Sequence, residues 1–110
     1  MNTDLAKKEC KACDGGTPAL KGESLQQFKN QLDGGWQLVG EQRLERQFKF
    51  PDFRHALEFT NQVGEIAEEQ GHHPDIFLTY GEVRLQIWTH KINGLTESDF
   101  ILAAKITELE

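Results

Sequence analysis

The sequence predicts an α+β domain in which three helices pack on one face of a four-stranded antiparallel sheet, with the element order αββαββα. Two pairs of short segments, at about residues 36–50 and 76–90, alternate apolar and polar residues around a glycine turn, which is typical of β-hairpins. A long segment with helical periodicity separates the hairpins, and shorter ones precede and follow them. Two hairpins and a helix between them favour an antiparallel sheet with its helices gathered on one side.

The first three elements have local start and stop signals. Ser24 and Gln27 have the spacing of a capping box, and apolar residues recur at the helical period until two consecutive glycines. Residues 36–39 then predict a short strand, and residues 44–50 predict its partner after a glycine turn. We therefore expect a helix followed by a hairpin.

The central helix and the second hairpin follow in order. Pro51 and Asp52 open the helix, its apolar stripe recurs every 3.6 residues, and Gly71 ends it. The second hairpin turns at Gly81, and its second strand alternates up to His90. This alternation predicts that His90 lies on the face opposite the apolar residues.

The final helix is predicted from Glu97 to about Leu109, because Thr96 and Asp99 have capping-box spacing. Apolar residues occupy more of its circumference than one contact with its own sheet requires. We therefore expect the chain to self-associate through this helix.

Composition and charge restrict the class of protein. The 110 residues suffice for one core, which we place at residues 20–110, and no apolar run approaches the roughly 20 residues that span a bilayer. The first residues have no apolar stretch of the kind found in secretory signals, so a cytoplasmic location is expected. The formal net charge of −6 disfavours direct nucleic-acid binding, which needs clustered Lys and Arg.

Residues 1–19 predict a flexible leader that contains both cysteines of the chain, Cys10 and Cys13, as a CxxC motif. A thioredoxin-like site would need a strand before the motif and a helix after it, and a structural zinc site would need two more ligands nearby. Inert thiols are therefore favoured, with metal binding and redox pairing as alternatives. Glycines and a proline separate the leader from the periodic segments, so we expect it to be dispensable.

The residues best suited to chemistry are three histidines and a carboxylate. Glu68 lies one helical turn before His72, whose ring N–H it could accept. Pro74 disfavours helix at His73, so the two adjacent imidazoles leave the helix in an extended path and point in different directions. His90 ends the following hairpin, which can return it toward His73. A cluster of three histidines is therefore geometrically feasible.

Such a cluster permits metal binding or proton transfer, because imidazole is a common metal ligand and also titrates near neutral pH. Helical zinc ligands are commonly spaced i and i+4, and adjacent histidines diverge too much to hold one ion easily, so acid–base catalysis is favoured. An alternative without chemistry is that His72 and His73 only end a helix and that His90 is exposed. Trp36 and Asp99 also have ordinary explanations, as a packing residue and as a helix cap. The residues alone leave the function open.

The histidines belong to a longer pattern that resembles the signature of the pterin-4a-carbinolamine dehydratase family. The resemblance covers about residues 20–109, includes Gly35-Trp36 and residues 48–53, and excludes the leader. Its most specific part is the run Glu68, His72-His73-Pro74, Tyr80, Val83, Thr89-His90, Gly94-Leu95-Thr96, Asp99 and Ala103.

This resemblance implies an activity and a set of site residues. The activity is dehydration of a 4a-hydroxytetrahydropterin to quinonoid dihydropterin in tetrahydrobiopterin recycling, without a metal or a redox cofactor. The implied catalytic residues are His72, His73 and His90, and the implied substrate-binding positions are Glu68, Pro74, Trp36 and Asp99.

The resemblance also implies a homodimer or homotetramer as the state of the protein. Some animal members of the family serve as a dimerisation cofactor for a homeodomain transcription factor, and other relatives work in pathways involving molybdopterin. A non-catalytic pterin-binding or protein-interaction module therefore stays open beside the enzyme.

Overall fold

The computed structural model describes residues 4–8, 10, 18–32 and 34–109. Its order, αββαββα, and its α+β class confirm the prediction. The helices are α1 (Gly22–Lys29), α2 (Phe53–Gln70) and α3 (Glu97–Thr107), and the strands are β1 (Gln37–Val39), β2 (Arg43–Lys49), β3 (Asp75–Thr79) and β4 (Glu82–Ile87). Two short 3-10 helices, Asp4–Lys7 and His90–Ile92, were not predicted. No helix in the described part of the chain is long and apolar enough to cross a membrane.

The four strands form one antiparallel sheet in the order β1-β2-β4-β3. Alternation along the two central strands places one set of side chains on the same face, because successive residues of a strand point to opposite sides. The apolar side chains of these strands on this face are all buried: Leu44, Phe48, Val83, Leu85 and Ile87. α2 and α3 contribute to the same core, and α1 joins it by stacking Phe28 on Phe100 with ring centroids 5.4 Å apart.

The ends of α2 match their sequence signals, whereas the start of α1 does not. The carboxylate of Asp52 caps α2 by accepting the backbone N–H of His55 at 2.9 Å. This hydrogen bond, together with one from the His55 ring, holds the pKa of Asp52 below its usual range. Gly71 ends α2 in the left-handed conformation, with φ at 64°. α1 begins at Gly22, so Ser24 lies within its first turn instead of capping it.

Part of the leader is folded, which differs from the flexible segment that the sequence predicts. Leu5 is only 1% exposed and belongs to the hydrophobic core, and the 3-10 helix that carries it packs against α3. Lys105 donates its ammonium to the backbone carbonyl of Ala6 at 2.9 Å. A single leucine among mostly polar residues has no periodicity, so no local pattern predicts this contact. Cys13 lies outside the described residues, and the interpretation of the CxxC motif stays a prediction.

The second apolar side of α3 is covered within the chain, which removes the basis for predicting self-association through this helix. α3 contacts the leader, α1, α2 and β4. Its buried apolar residues are Phe100, Ile101, Leu102, Ala103, Ala104 and Ile106. Assembly as a homodimer or homotetramer stays a prediction that rests on the family resemblance alone.

Replacing Leu5 with alanine is expected to lower the free energy of unfolding by about 2 kcal/mol, because it removes a buried leucine side chain close to the chain terminus. Urea unfolding of the two proteins measures the difference. Leu57→Ala is the matched control, since Leu57 is 39% exposed on α2. Equal losses in the two variants would contradict the packing of the leader on α3.

Candidate active site

The exit from α2 fixes the position of His72. The backbone N–H groups of Gly71 and His72 both donate to the carbonyl of Ala67, His72 at 3.1 Å, so the chain leaves the helix along a defined path. The His72 side chain is largely buried, and its Nε2 lies 2.6 Å from Oδ1 of Asp99 in the first turn of α3. A histidine at the end of one helix is thus paired with a carboxylate at the start of another.

Asp99 has no solvent-exposed surface, and both of its carboxylate oxygens have partners. Oδ1 bonds His72, while Oδ2 accepts the hydroxyl of Thr89 at 2.7 Å and the backbone N–H of Thr96 at 2.9 Å. The last bond is half of the predicted capping box, which is present. Its three hydrogen-bond partners hold the carboxylate in place, so it orients the His72 ring as well as capping α3.

Glu68 pairs with His73, and not with His72 as the sequence predicted. Oε2 of Glu68 lies 2.5 Å from Nε2 of His73. The predicted pairing requires His72 to continue the helix, but Gly71 ends it one residue earlier, so the side chain of Glu68 meets the next residue along. The His73 and Glu68 side chains are 58% and 79% exposed, which leaves this pair in contact with water.

The sequence predicted His90 at the end of the last strand, but His90 lies beyond the end of β4. The strand ends at Ile87, and His90 opens the 3-10 helix. Its side chain is 53% exposed, with Nε2 3.7 Å from Oδ1 of Asp75 and the ring edge-on to Trp88 at 4.0 Å between centroids. Trp88 donates its indole N–H to Oδ2 of Asp75 at 2.9 Å. Because Asp75 opens β3 only two residues after His73, the hairpin does return His90 toward the His73 corner.

Asp75 and Trp88 were not predicted as site residues, and Thr89 appeared only within the family motif. Asp75 connects Trp88 with His90, and Thr89 bonds the carboxylate of Asp99. A carboxylate directly after the His72-His73-Pro74 run, at residue 75, is the one signal that could have been noticed. Thr89 belongs to the family motif, but no local signal indicates its bond to Asp99, because Asp99 lies ten residues away in another element.

Trp36 is not brought together with the histidines. It has no exposed surface, and its indole N–H donates to the hydroxyl of Thr107 at 2.8 Å. Thr107 ends α3, whereas Asp99 lies in its first turn, and eight residues of helix correspond to roughly 12 Å. Trp36 is therefore a core residue at the far end of α3. Pro74 is partly buried where the chain enters β3.

The arrangement as a whole is suited to proton transfer. Nε2 of each of the three histidines faces a carboxylate: Asp99 for His72, Glu68 for His73 and Asp75 for His90. For His72 and His73, whose carboxylates lie within hydrogen-bond distance, this favours a proton on Nε2 and leaves Nδ1 to accept or deliver another. Asp75, at 3.7 Å, is beyond hydrogen-bond distance of His90. Within the described ranges, no group of three or more His, Cys, Asp or Glu side chains is arranged to hold a metal ion.

Comparison with known proteins places the chain in a family. The model of the family described as "Pterin 4 alpha carbinolamine dehydratase" matches residues 18–109. A relative named for this family, from Rubrobacter xylanophilus, is 54% identical over 107 residues, which is 97% of this chain and 99% of the relative. Another from Alkaliphilus metalliredigens is 46% identical over 103 residues, 94% of this chain and 93% of the relative.

Solved structures show the same fold. A transcriptional coactivator/pterin dehydratase from Brucella melitensis is 36% identical, with a TM-score of 0.77 over 84% of this chain and 98% of that one. A pterin dehydratase-like RuBisCO assembly factor of the alpha-carboxysome shares the fold, with 23% identity and a TM-score of 0.59 over 68% of this chain and 88% of that one. On the family match and on the identities to the two relatives, the chain belongs to the pterin 4 alpha carbinolamine dehydratase family.

Proposed function

We propose that the protein dehydrates 4a-hydroxytetrahydropterin to quinonoid dihydropterin by histidine acid–base catalysis, in support of tetrahydrobiopterin recycling. The observation that carries this proposal is the His72–Asp99 pair, in which a fully buried carboxylate with both oxygens bonded holds an imidazole at 2.6 Å. The Asp99 carboxylate also caps α3, but the cap needs only Oδ2, whereas Oδ1 bonds the histidine. Membership of the family supports the same reaction.

The reaction needs only proton transfers. A lone pair on the neighbouring ring nitrogen forms a new C=N bond at carbon 4a while the C–O bond breaks, and the hydroxyl takes a proton and leaves as water. A ring N–H loses a proton, so the pterin stays neutral and no electrons are exchanged with a cofactor. One imidazole that gives a proton and one that accepts a proton would contribute about 100- to 10,000-fold.

The three histidines differ in how they can serve this reaction. His73 and His90 are more than half exposed, so their rings can contact a pterin bound at the surface. His72 is largely buried and is the most firmly oriented of the three. We propose that all three exchange protons with the substrate, that Glu68 and Pro74 border it, and that Asp99 acts through His72. The burial of Trp36 gives no support to its predicted contact with the substrate.

The direct test follows the decay of freshly made 4a-hydroxytetrahydropterin by absorbance, with and without the protein. The proposal expects acceleration that is proportional to protein concentration. Pterin binding without acceleration, measured by calorimetry, would instead favour a non-catalytic pterin-binding module, including one with a molybdopterin-related role. If the protein neither bound the pterin nor accelerated its decay, a protein-interaction module would be favoured, since one fold can host unrelated functions.

A further inference from the structure

The folded part of the leader, which we call the docked leader (residues 4–8 and Cys10), lies beside the His72–Asp99 pair. Its first contacts anchor it to α3: Leu5 is in the core, and Lys105 donates to the carbonyl of Ala6 at 2.9 Å. Lys105 lies in the last turn of α3, at the opposite end of the helix from Asp99. These two contacts hold the leader in place.

The far end of the docked leader contacts both elements that carry the pair. The backbone N–H of Cys10 donates to Oε1 of Gln70 at 2.9 Å, and the Cys10 thiol lies 3.5 Å from the carbonyl of Ser98. Gln70 is the last residue of α2, two before His72, and Ser98 directly precedes Asp99. The ammonium of Lys8 also lies 2.8 Å from the carboxylate of Glu97, although such an exposed pair contributes little.

Gln70 stands out among these partners because it is a polar side chain that is only 9% exposed. A buried amide needs hydrogen-bond partners, and the leader supplies one for its carbonyl oxygen. The backbone that follows Gln70 is already fixed by the two bonds to the Ala67 carbonyl. Gln70 and His72 are therefore held on the same helix end, and a shift of that end would move both.

We infer that the docked leader positions the His72–Asp99 pair, with Gln70 as the positioning residue through which it acts. His72 and Asp99 lie 27 residues apart, and their 2.6 Å bond depends on how the end of α2 sits against the start of α3. The leader bridges these two helix ends on the side of Cys10. This inference rests on the proposed function for its effect on rate, and it replaces the expectation of a dispensable leader.

α2 and α3 also contact each other directly, so loss of the leader contact should loosen the pair without destroying it. Gln70→Met, which keeps the length of the side chain and removes its acceptor, is expected to lower kcat about 10-fold with KM changed less than about 2-fold, since small misplacements of reacting groups cost rate. Gln62→Met is the matched control, because Gln62 is an exposed glutamine on the same helix. Equal kcat in the two variants would overturn the inference.

A double-mutant cycle separates this positioning role from general destabilisation. Leu5→Ala weakens the anchor of the leader, so its effect on kcat should be largely lost in the Gln70→Met background. In the Gln62→Met background the effect of Leu5→Ala should be unchanged. Additive effects of Leu5→Ala and Gln70→Met would show that the leader does not act through Gln70.

Two further measurements complete the test. Cys10→Ala keeps the backbone N–H that bonds Gln70 and loses only the thiol contact with Ser98, so it should lower kcat less than Gln70→Met does. A loss as large as that of Gln70→Met would move the effect to the thiol and contradict the inference. The ring ¹⁵N resonances of His72 should shift in Gln70→Met while those of His55 stay unchanged. This last readout needs no substrate, so it tests the positioning role even if the protein proves to have no dehydratase activity, and unshifted His72 resonances would refute it.

Discussion

Replacing His72 with alanine is expected to lower kcat for carbinolamine dehydration by about 10- to 1,000-fold, the range for a lost acid–base or positioning group. His73→Ala should fall in the same range but lose less, because His73 and Glu68 are exposed and held only by each other. His72 has the buried carboxylate of Asp99 behind it. The decay assay measures both variants under single-turnover conditions.

The matched control for these variants is His55→Ala. His55 also faces a carboxylate, with Nδ1 2.7 Å from Asp52, but it lies in the first turn of α2, at the other end of that helix from His72. It should therefore keep the full rate. The double variant His72→Ala/His73→Ala is the sharper probe, since the remaining His90 can partly compensate for either single loss. The acid–base assignment is wrong if the folded double variant dehydrates the substrate at the unmutated rate.

The same variants distinguish proton transfer from a zinc mechanism. A zinc-bound water would be lost on exhaustive chelation, and removal of each ligand would release metal. Proton transfer by the imidazoles predicts that activity survives chelation and that the purified protein contains no stoichiometric metal. Elemental analysis before and after chelation separates the two mechanisms.

Two substitutions of Asp99 are expected to separate its effect on stability from its effect on rate. Asp99→Ala removes the cap of α3 and leaves the hydroxyl of Thr89 and the N–H of Thr96 without this acceptor, so the free energy of unfolding should fall by about 2 to 4 kcal/mol. Asp99→Asn keeps one acceptor oxygen for these donors. It should therefore unfold at nearly the same urea concentration as the unmutated protein.

The rate of Asp99→Asn should nevertheless fall by about 100-fold. An amide N–H facing Nε2 of His72 would favour the ring form with its proton on Nδ1, which reverses the orientation that the carboxylate imposes. Asp52→Asn is the control, because Asp52 likewise caps a helix and faces a histidine ring but lies at the start of α2. An Asp99→Asn variant with full rate would show that the carboxylate serves only as the cap.

Local signals in the sequence predicted most of the fold. The Thr96–Asp99 capping box, the Asp52 cap and the Gly71 stop each depend on residues within a few positions of one another. Strand alternation placed the core face of the sheet correctly for the same reason. The predicted start of α1 was wrong, because the helix already begins at Gly22, before the suitable capping residue Ser24.

The partners of the site residues could not be predicted in the same way. Helical spacing predicted a Glu68–His72 pair, but one left-handed residue, Gly71, shifts the pairing to His73. The capping-box spacing indicated only a helix cap at Asp99, and only the packing of α3 against the end of α2 brings its second oxygen to His72. His90 left the strand because Thr89 forms an isolated bridge with Gly94 and bonds Asp99, both outside the ladder.

The sequence by itself determined the order of the elements, the caps of α2 and α3 and the family motif, because each of these is encoded by residue types at short fixed spacings. Only the tertiary structure decided which carboxylate serves which histidine, that Trp36 is a core residue, and that Leu5 and Cys10 belong to the folded domain. Several of those outcomes depend on contacts between distant residues, from 27 positions apart for His72 and Asp99 to 88 for Cys10 and Ser98. The Glu68–His73 pair depends on the point where α2 ends. No local pattern records such contacts, because they follow from how whole elements pack.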